Sequence, residues 1–105
     1  MKLNEINDRA NIEQILNKLG VKNYTINPDG SVDVDGEVNI TSMGLAQIPV
    51  KFGYVSGYVD CSHNNLTSLN GAPREVGGDF WCNDNKLKSE PDHSFIKIGG
   101  DFTWK

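Results

Sequence analysis

From Gly36 onward the apolar positions of this chain recur with a period much longer than that of a helix or an alternating strand. One unit reads G-E-V-N-I-T-S-M-G-L-A-Q-I-P-V-K-F-G-Y-V-S from Gly36, and the next reads G-Y-V-D-C-S-H-N-N-L-T-S-L-N-G-A-P-R-E-V-G from Gly57. A third opens at Gly78 as G-D-F-W-C-N-D-N-K-L-K-S, and after one extra residue a fourth opens at Gly100 as G-D-F-T-W-K. Each column keeps one kind of side chain. Val38, Val59, Phe80 and Phe102 share the third place; Ile40, Cys61, Cys82 and Trp104 share the fifth; Leu45, Leu66 and Leu87 share the tenth; Val55, Val76 and Ile98 share the twentieth. Self-similarity at 21 to 22 residues is the mark of a stack of repeats, each too small to bury its own apolar face.

The third and fifth places lie two residues apart, so both point to one side of a short strand, and that side is the expected core. The eighth place is Asn64 in one unit and Asn85 in the next, three residues past the strand, where a side-chain amide can turn the chain and bond to neighbouring backbone. Met43 takes that place in the first unit. Upstream, Ile12, Ile15, Leu16 and Leu19 fall at i, i+3, i+4 and i+7 ahead of Gly20, which predicts a helix over 7–19. The runs Tyr24 to Asn27 and Ser31 to Val34 flank Pro28-Asp29-Gly30 and predict a hairpin. An open repeat stack exposes apolar ends, and a helix plus hairpin over 1–35 is suited to cover one of them. The chain is thus expected to be one α+β domain over 1–105, a small leucine-rich-repeat-like solenoid of about three and a half short parallel-strand units over 36–105.

The segments V-D-C-S-H-N-N-L and F-W-C-N-D-N-K-L follow the L-x-L-x-x-N-x-L pattern of leucine-rich repeats. More narrowly, units of the form G-D-F-x-C-S-x-N-x-L-T-S-L-x-G-x-P-x-x-V-G resemble a group of short leucine-rich-repeat-like proteins of bacteriophages and some bacteria, matched best from Gly57 to Asn85. The preceding Y-T-I-N-P-D-G-S-V-D-V-D-G is similar to the stretch that often precedes such units. The resemblance implies a repeat fold, a phage-encoded source and action on a host protein such as a defence or regulatory factor. The third unit departs from the pattern: Glu90 stands where Ile48 and Leu69 stand, and 88–93 replaces the usual T-S-L-x-G-x-P run.

A net charge of −4 and a pI near 5.0 lack the basic excess of a protein that grips phosphate backbones, so nucleic acid is not an expected partner. No stretch approaches the roughly 18 apolar residues needed to cross a bilayer, and the N-terminal residues lack the apolar run of a secretion signal. A cytoplasmic location and no membrane partner are expected.

If the strands stack in parallel, the second, fourth and sixth places form outward columns: Glu37, Tyr58, Asp79, Asp101; then Asn39, Asp60, Trp81, Thr103; then Thr41, Ser62, Asn83, Lys105. Tyr58 and Trp81 amid Asp60, Asp79 and Asp101 make the candidate partner-binding set, aromatics being enriched at interface centres and the carboxylates suited to Lys or Arg of a partner. The competing reading is that Trp81 merely packs on a neighbouring segment. Cys61 and Cys82, on successive inward rungs, are expected to be buried thiols. His63 and His93 lack zinc-ligand spacing, S-V-D-V-D-G from Ser31 lacks the acidic twelfth place of a calcium loop, and Gly77-Gly78 and Gly99-Gly100 are expected corners rather than phosphate loops. No cofactor, metal site or catalytic constellation is predicted. The expected function is a non-catalytic protein-protein interaction module. The alternatives are a self-assembling repeat protein, dimerising through a C-terminal edge at Phe102 and Trp104, and an acidic inhibitor that mimics nucleic acid.

Overall fold

A computed structural model describes residues 5–105, with side chains from Asp8 onward, so residues 1–4 of the predicted cap lie outside it. Helix α1 spans Glu5–Leu19, two residues longer at its start than the apolar spacing predicts. Its inward stripe is Leu16 and Leu19, both buried, with Ile12 and Ile15 packed beside them. The helix stops because Gly20 adopts a left-handed conformation (φ 75°), which lets its N–H reach the Asn17 carbonyl at 3.1 Å and the Val21 N–H reach the Leu16 carbonyl at 3.0 Å.

Strands β1 (Tyr24–Ile26) and β2 (Val32–Val34) form the predicted antiparallel hairpin. Its turn closes on Asp29, whose Oδ1 accepts the Ser31 N–H at 2.9 Å and the Ser31 hydroxyl at 2.6 Å. Those two bonds hold the Asp29 carboxyl below its usual range.

Beyond the hairpin each repeat contributes two short strands, not one. The chain runs through β3 (Val38–Asn39), β4 (Phe52–Val55), β5 (Val59–Asp60), β6 (Glu75–Val76), β7 (Phe80–Trp81), β8 (Lys97–Ile98) and β9 (Phe102–Thr103). These strands stack into two sheets, β3-β5-β7-β9 and β1-β2-β4-β6-β8, parallel throughout except between β1 and β2. The third-place column is in register as Val38, Val59, Phe80 and Phe102, and the twentieth-place column as Val55, Val76 and Ile98. The protein is therefore a small β-solenoid of parallel strands with a helix cap, its core lying between the two sheets. Val34, Val38, Val55, Val59, Val76 and Phe80 are buried there, and Phe102 meets Phe80 edge-on with ring centroids 5.6 Å apart.

The hairpin is more than a cover. Strand β2 pairs with β4 and so forms the first rung of the five-stranded sheet, with an irregularity between Val32 and Val34 that shifts the register. The corners between sheets need closeness of backbone: a Cβ on Gly77 would collide with the Ser56 carbonyl oxygen, and one on Gly99 with that of Gly77.

The eighth-place asparagines hold successive coils together. Asn64, buried, accepts the Met43 and Leu45 N–H groups on Oδ1 at 2.9 and 3.0 Å, and its Nδ2 donates to the carbonyls of Ile40, Cys61 and Ser62. Asn85 repeats this one coil on, accepting the Leu66 N–H and donating to Cys61, Cys82 and Asn83. The preceding residues Ser42, His63 and Asp84 all take a left-handed backbone with φ of 55 to 57°, which turns the chain at the same point in each unit. Met43, at this place in the first unit, has no amide to make such bonds and is 42% exposed.

Candidate interaction face

The outer face of the four-stranded sheet carries the predicted columns. Asn39, Asp60, Trp81 and Thr103 are in register, and ladder bonds from Val38 to Tyr58, Val59 to Asp79 and Phe80 to Asp101 align the adjoining second-place residues. Tyr58 and Trp81 are diagonal neighbours whose ring centroids lie 5.3 Å apart at 46°. Each is half-buried, so the two rings form one slab that is partly shielded by its own contact. The two aromatics of the predicted outward columns thus pack on each other.

Two of the three carboxylates around this slab are held by hydrogen bonds. Asp60 Oδ1 accepts the Ser62 N–H at 3.1 Å and the Ser62 hydroxyl at 2.6 Å, a local turn that forms because a short acidic side chain can reach its own backbone two residues on. That bond draws Ser62 inward: it is buried, contrary to its expected place on an outward column. Asp79 Oδ1 accepts the Asp101 N–H at 2.8 Å, spanning two coils. Asp101 itself is exposed. The five predicted residues Tyr58, Asp60, Asp79, Trp81 and Asp101 are therefore brought onto one face, with one oxygen of Asp60 and one of Asp79 engaged in holding the coil. Such a surface offers an aromatic platform bordered by negative charge, which suits a partner presenting Lys or Arg beside an apolar group.

The remaining chemistry-bearing residues sit elsewhere. Cys61 and Cys82 are unbridged and buried, and Cys61 Sγ donates to the Trp81 carbonyl at 3.4 Å. Loss of hydration raises both thiols, Cys82 to about 12 and Cys61 further, with the neighbouring sulfur adding to the rise at Cys61. His63 lies 3.4 Å from Asp84, both more than half exposed, while His93 stacks on Phe102 at 3.8 Å between ring centroids. Gly77, Gly78, Gly99 and Gly100 do form corners, and their N–H groups already bond to carbonyls of the coil below. In the S-V-D-V-D-G stretch Asp33 accepts the Tyr54 N–H and Asp35 the Ser56 hydroxyl. Among the described residues no helix is long and apolar enough to cross a membrane.

One feature was not foreseen from the sequence. Beside the loops of the second and third coils lies a cleft of about 600 Å³ whose lining includes Leu69, Leu87 and Phe95. Its signal was the departure of the third unit: Ile48 and Leu69 are buried, whereas Glu90, at the equivalent place, is exposed.

No protein-family model, curated protein or solved structure matches the chain significantly.

Proposed function

We propose that this chain is a non-catalytic protein-interaction module that binds a partner through the outer face of its four-stranded sheet. Supporting this reading is the Tyr58–Trp81 slab, 5.3 Å between centroids, set among carboxylates of which Asp60 and Asp79 are held by hydrogen bonds. Two large rings at the middle of a rigid sheet supply contact area at little entropic cost, and the acidic border favours a basic partner. The resemblance of the repeat units to phage leucine-rich-repeat-like proteins extends the proposal to a phage-encoded protein that acts on a host defence or regulatory protein. Replacing Trp81 and Asp60 together with alanine should abolish specific capture of that partner from host lysate while circular dichroism still reports a folded chain, the loss of the Asp60–Ser62 bonds lowering only its stability. Retention of every specific partner by the folded double variant would refute the assignment of the face.

A second reading is self-assembly, favoured by the unsatisfied edges of the stack: β8 and β9 each pair on one side within the described residues, and Ile98, Phe102 and Trp104 near them are half-buried. Sedimentation that shows a dimer, lost on Phe102→Asp, would favour it over the first.

A further inference from the structure

The cleft over Leu69 continues into a second one. That neighbour, about 620 Å³, shares Leu69, Asn70 and Phe95 with the first and ends against Lys51 and Arg74, whereas the first is bordered by Lys86 and Lys88. Phe95 stands on the wall common to both and is 52% exposed, while the adjacent Ile96 turns inward and is buried. A single exposed phenylalanine means little. Here it projects beside two leucines at the junction of two clefts.

The charge of this groove runs against that of the molecule. The chain carries −4 overall, yet four of its ten Lys and Arg residues border the paired clefts. Among the described residues none of these four has a carboxylate oxygen within 4 Å. The acidic residues in the lining are Asp29 and Asp92; each folds back onto its own serine, Ser31 or Ser94, but keeps its charge, and Asp29 feels both Lys51 and Arg74, so the four cations outnumber the two carboxylates rather than standing alone. The groove therefore presents an apolar floor and a border whose positive charge the two lining carboxylates offset only in part.

We infer that this groove binds an acidic peptide segment of another protein, seating a bulky apolar side chain of that segment against Phe95, Leu69 and Leu87 and pairing its flanking carboxylates with Lys86 and Lys88 on one side and Lys51 and Arg74 on the other. An apolar floor calls for an apolar side chain, and a hydrated polyphosphate backbone would leave that floor uncovered. A polyanion as long as a nucleic acid would also meet the repulsion of the −4 chain beyond the groove. The site shares no residue with the sheet face of Tyr58 and Trp81, so the module would carry two binding surfaces of opposite charge.

A display library of random short peptides, panned on the full chain, tests the inference. The recovered peptides are expected to place Asp or Glu on both sides of Leu, Phe or Trp. Measured by fluorescence anisotropy at low salt, such a peptide should bind Phe95→Ala about thirtyfold more weakly, the loss expected at an aromatic anchor. It should bind the Lys86→Glu/Lys88→Glu variant about tenfold more weakly, and the wild type progressively less as salt is added. Both positions are outside the core, and thermal melts matching the wild type will show that the variants are folded. Recovery of basic or uncharged peptides, or equal affinity for wild type and Phe95→Ala, would overturn the inference. So would a peptide that loses its binding to Trp81→Ala instead, since it would lie on the sheet face. Tighter Phe95-dependent binding of an oligothymidylate or of phosphatidylserine vesicles would replace the peptide with a different anionic ligand.

Discussion

Replacing Asn64 with alanine removes a side chain that ties the first repeat coil to the second. Its Oδ1 holds the Met43 and Leu45 N–H groups, and its amide hydrogens serve three carbonyls, two of them in its own coil and one, Ile40, in the coil before. Alanine can replace none of these bonds, and the site is 7% exposed, so water reaches it poorly. Each buried backbone group left without a partner costs about 1–3 kcal/mol, but two amides and the carbonyls near the surface will recover part of this, giving a loss of about 4 kcal/mol. For a domain of this size that lowers the melting temperature by about 15–20 °C. The matching control is Met43→Ala at the equivalent place of the first unit, where the exposed side chain should contribute no more than about 0.5 kcal/mol. Urea unfolding followed by circular dichroism gives both values, and hydrogen exchange should show the Met43 and Leu45 amides accelerating most in the Asn64 variant. A loss below about 1 kcal/mol, with both amides still slow, would refute the view that this asparagine joins the coils.

Gly77→Ala should destabilise the protein by about 2–4 kcal/mol although the position is exposed, because its Cβ meets the Ser56 carbonyl rather than a side chain able to move; chemical denaturation measures this, and a neutral effect would show that the corner can open. Burial and raised pKa values should make Cys61 and Cys82 react with a thiol reagent at pH 8 more than about a hundredfold slower than free cysteine, with both reacting at the ordinary rate once urea unfolds the chain. The Asp29 carboxyl is held below its usual range in the folded hairpin by Ser31, so the stability it contributes is present above the unfolded aspartate value and is lost as pH falls through the lower folded one. A carboxyl-detected NMR titration should place Asp29 below a free aspartate, and Ser31→Ala should return it upward.

The first sheet was readable because its inward residues repeat in kind: Val38, Val59, Phe80 and Phe102 differ little in chemistry and hold one register. The helix and hairpin were readable from spacing and from Pro28-Asp29-Gly30. The second sheet was visible as a column of apolar residues at Val55, Val76 and Ile98, but not as strands, because Glu75 and Lys97 break any uniform strand composition. The role of β2 as a first rung was hidden for a different reason. Val34 pairs with Val55 and Val32 with Phe52, and this uneven offset defeats an alignment made without gaps. On the candidate face, the columns followed from periodicity, whereas the packing of Tyr58 on Trp81 and the inward turn of Ser62 depend on diagonal and local contacts that periodicity does not encode. The groove escaped because it arises where the third unit abandons the repeat.

The equal offset from β3 to β5 and from β5 to β7 makes height an adjustable quantity. Val38, Val59 and Phe80 face one another at intervals of 21 residues, so a duplicate of 57–77 inserted before Gly78 would meet the same ladder, the same asparagine and the same corner as its template. Each copy would raise the stack by about 4.8 Å without altering its cross-section. Gene duplication acting on such a segment changes how far apart two features of the molecule stand while leaving each feature intact, which makes the coil a unit of measure as much as a unit of stability.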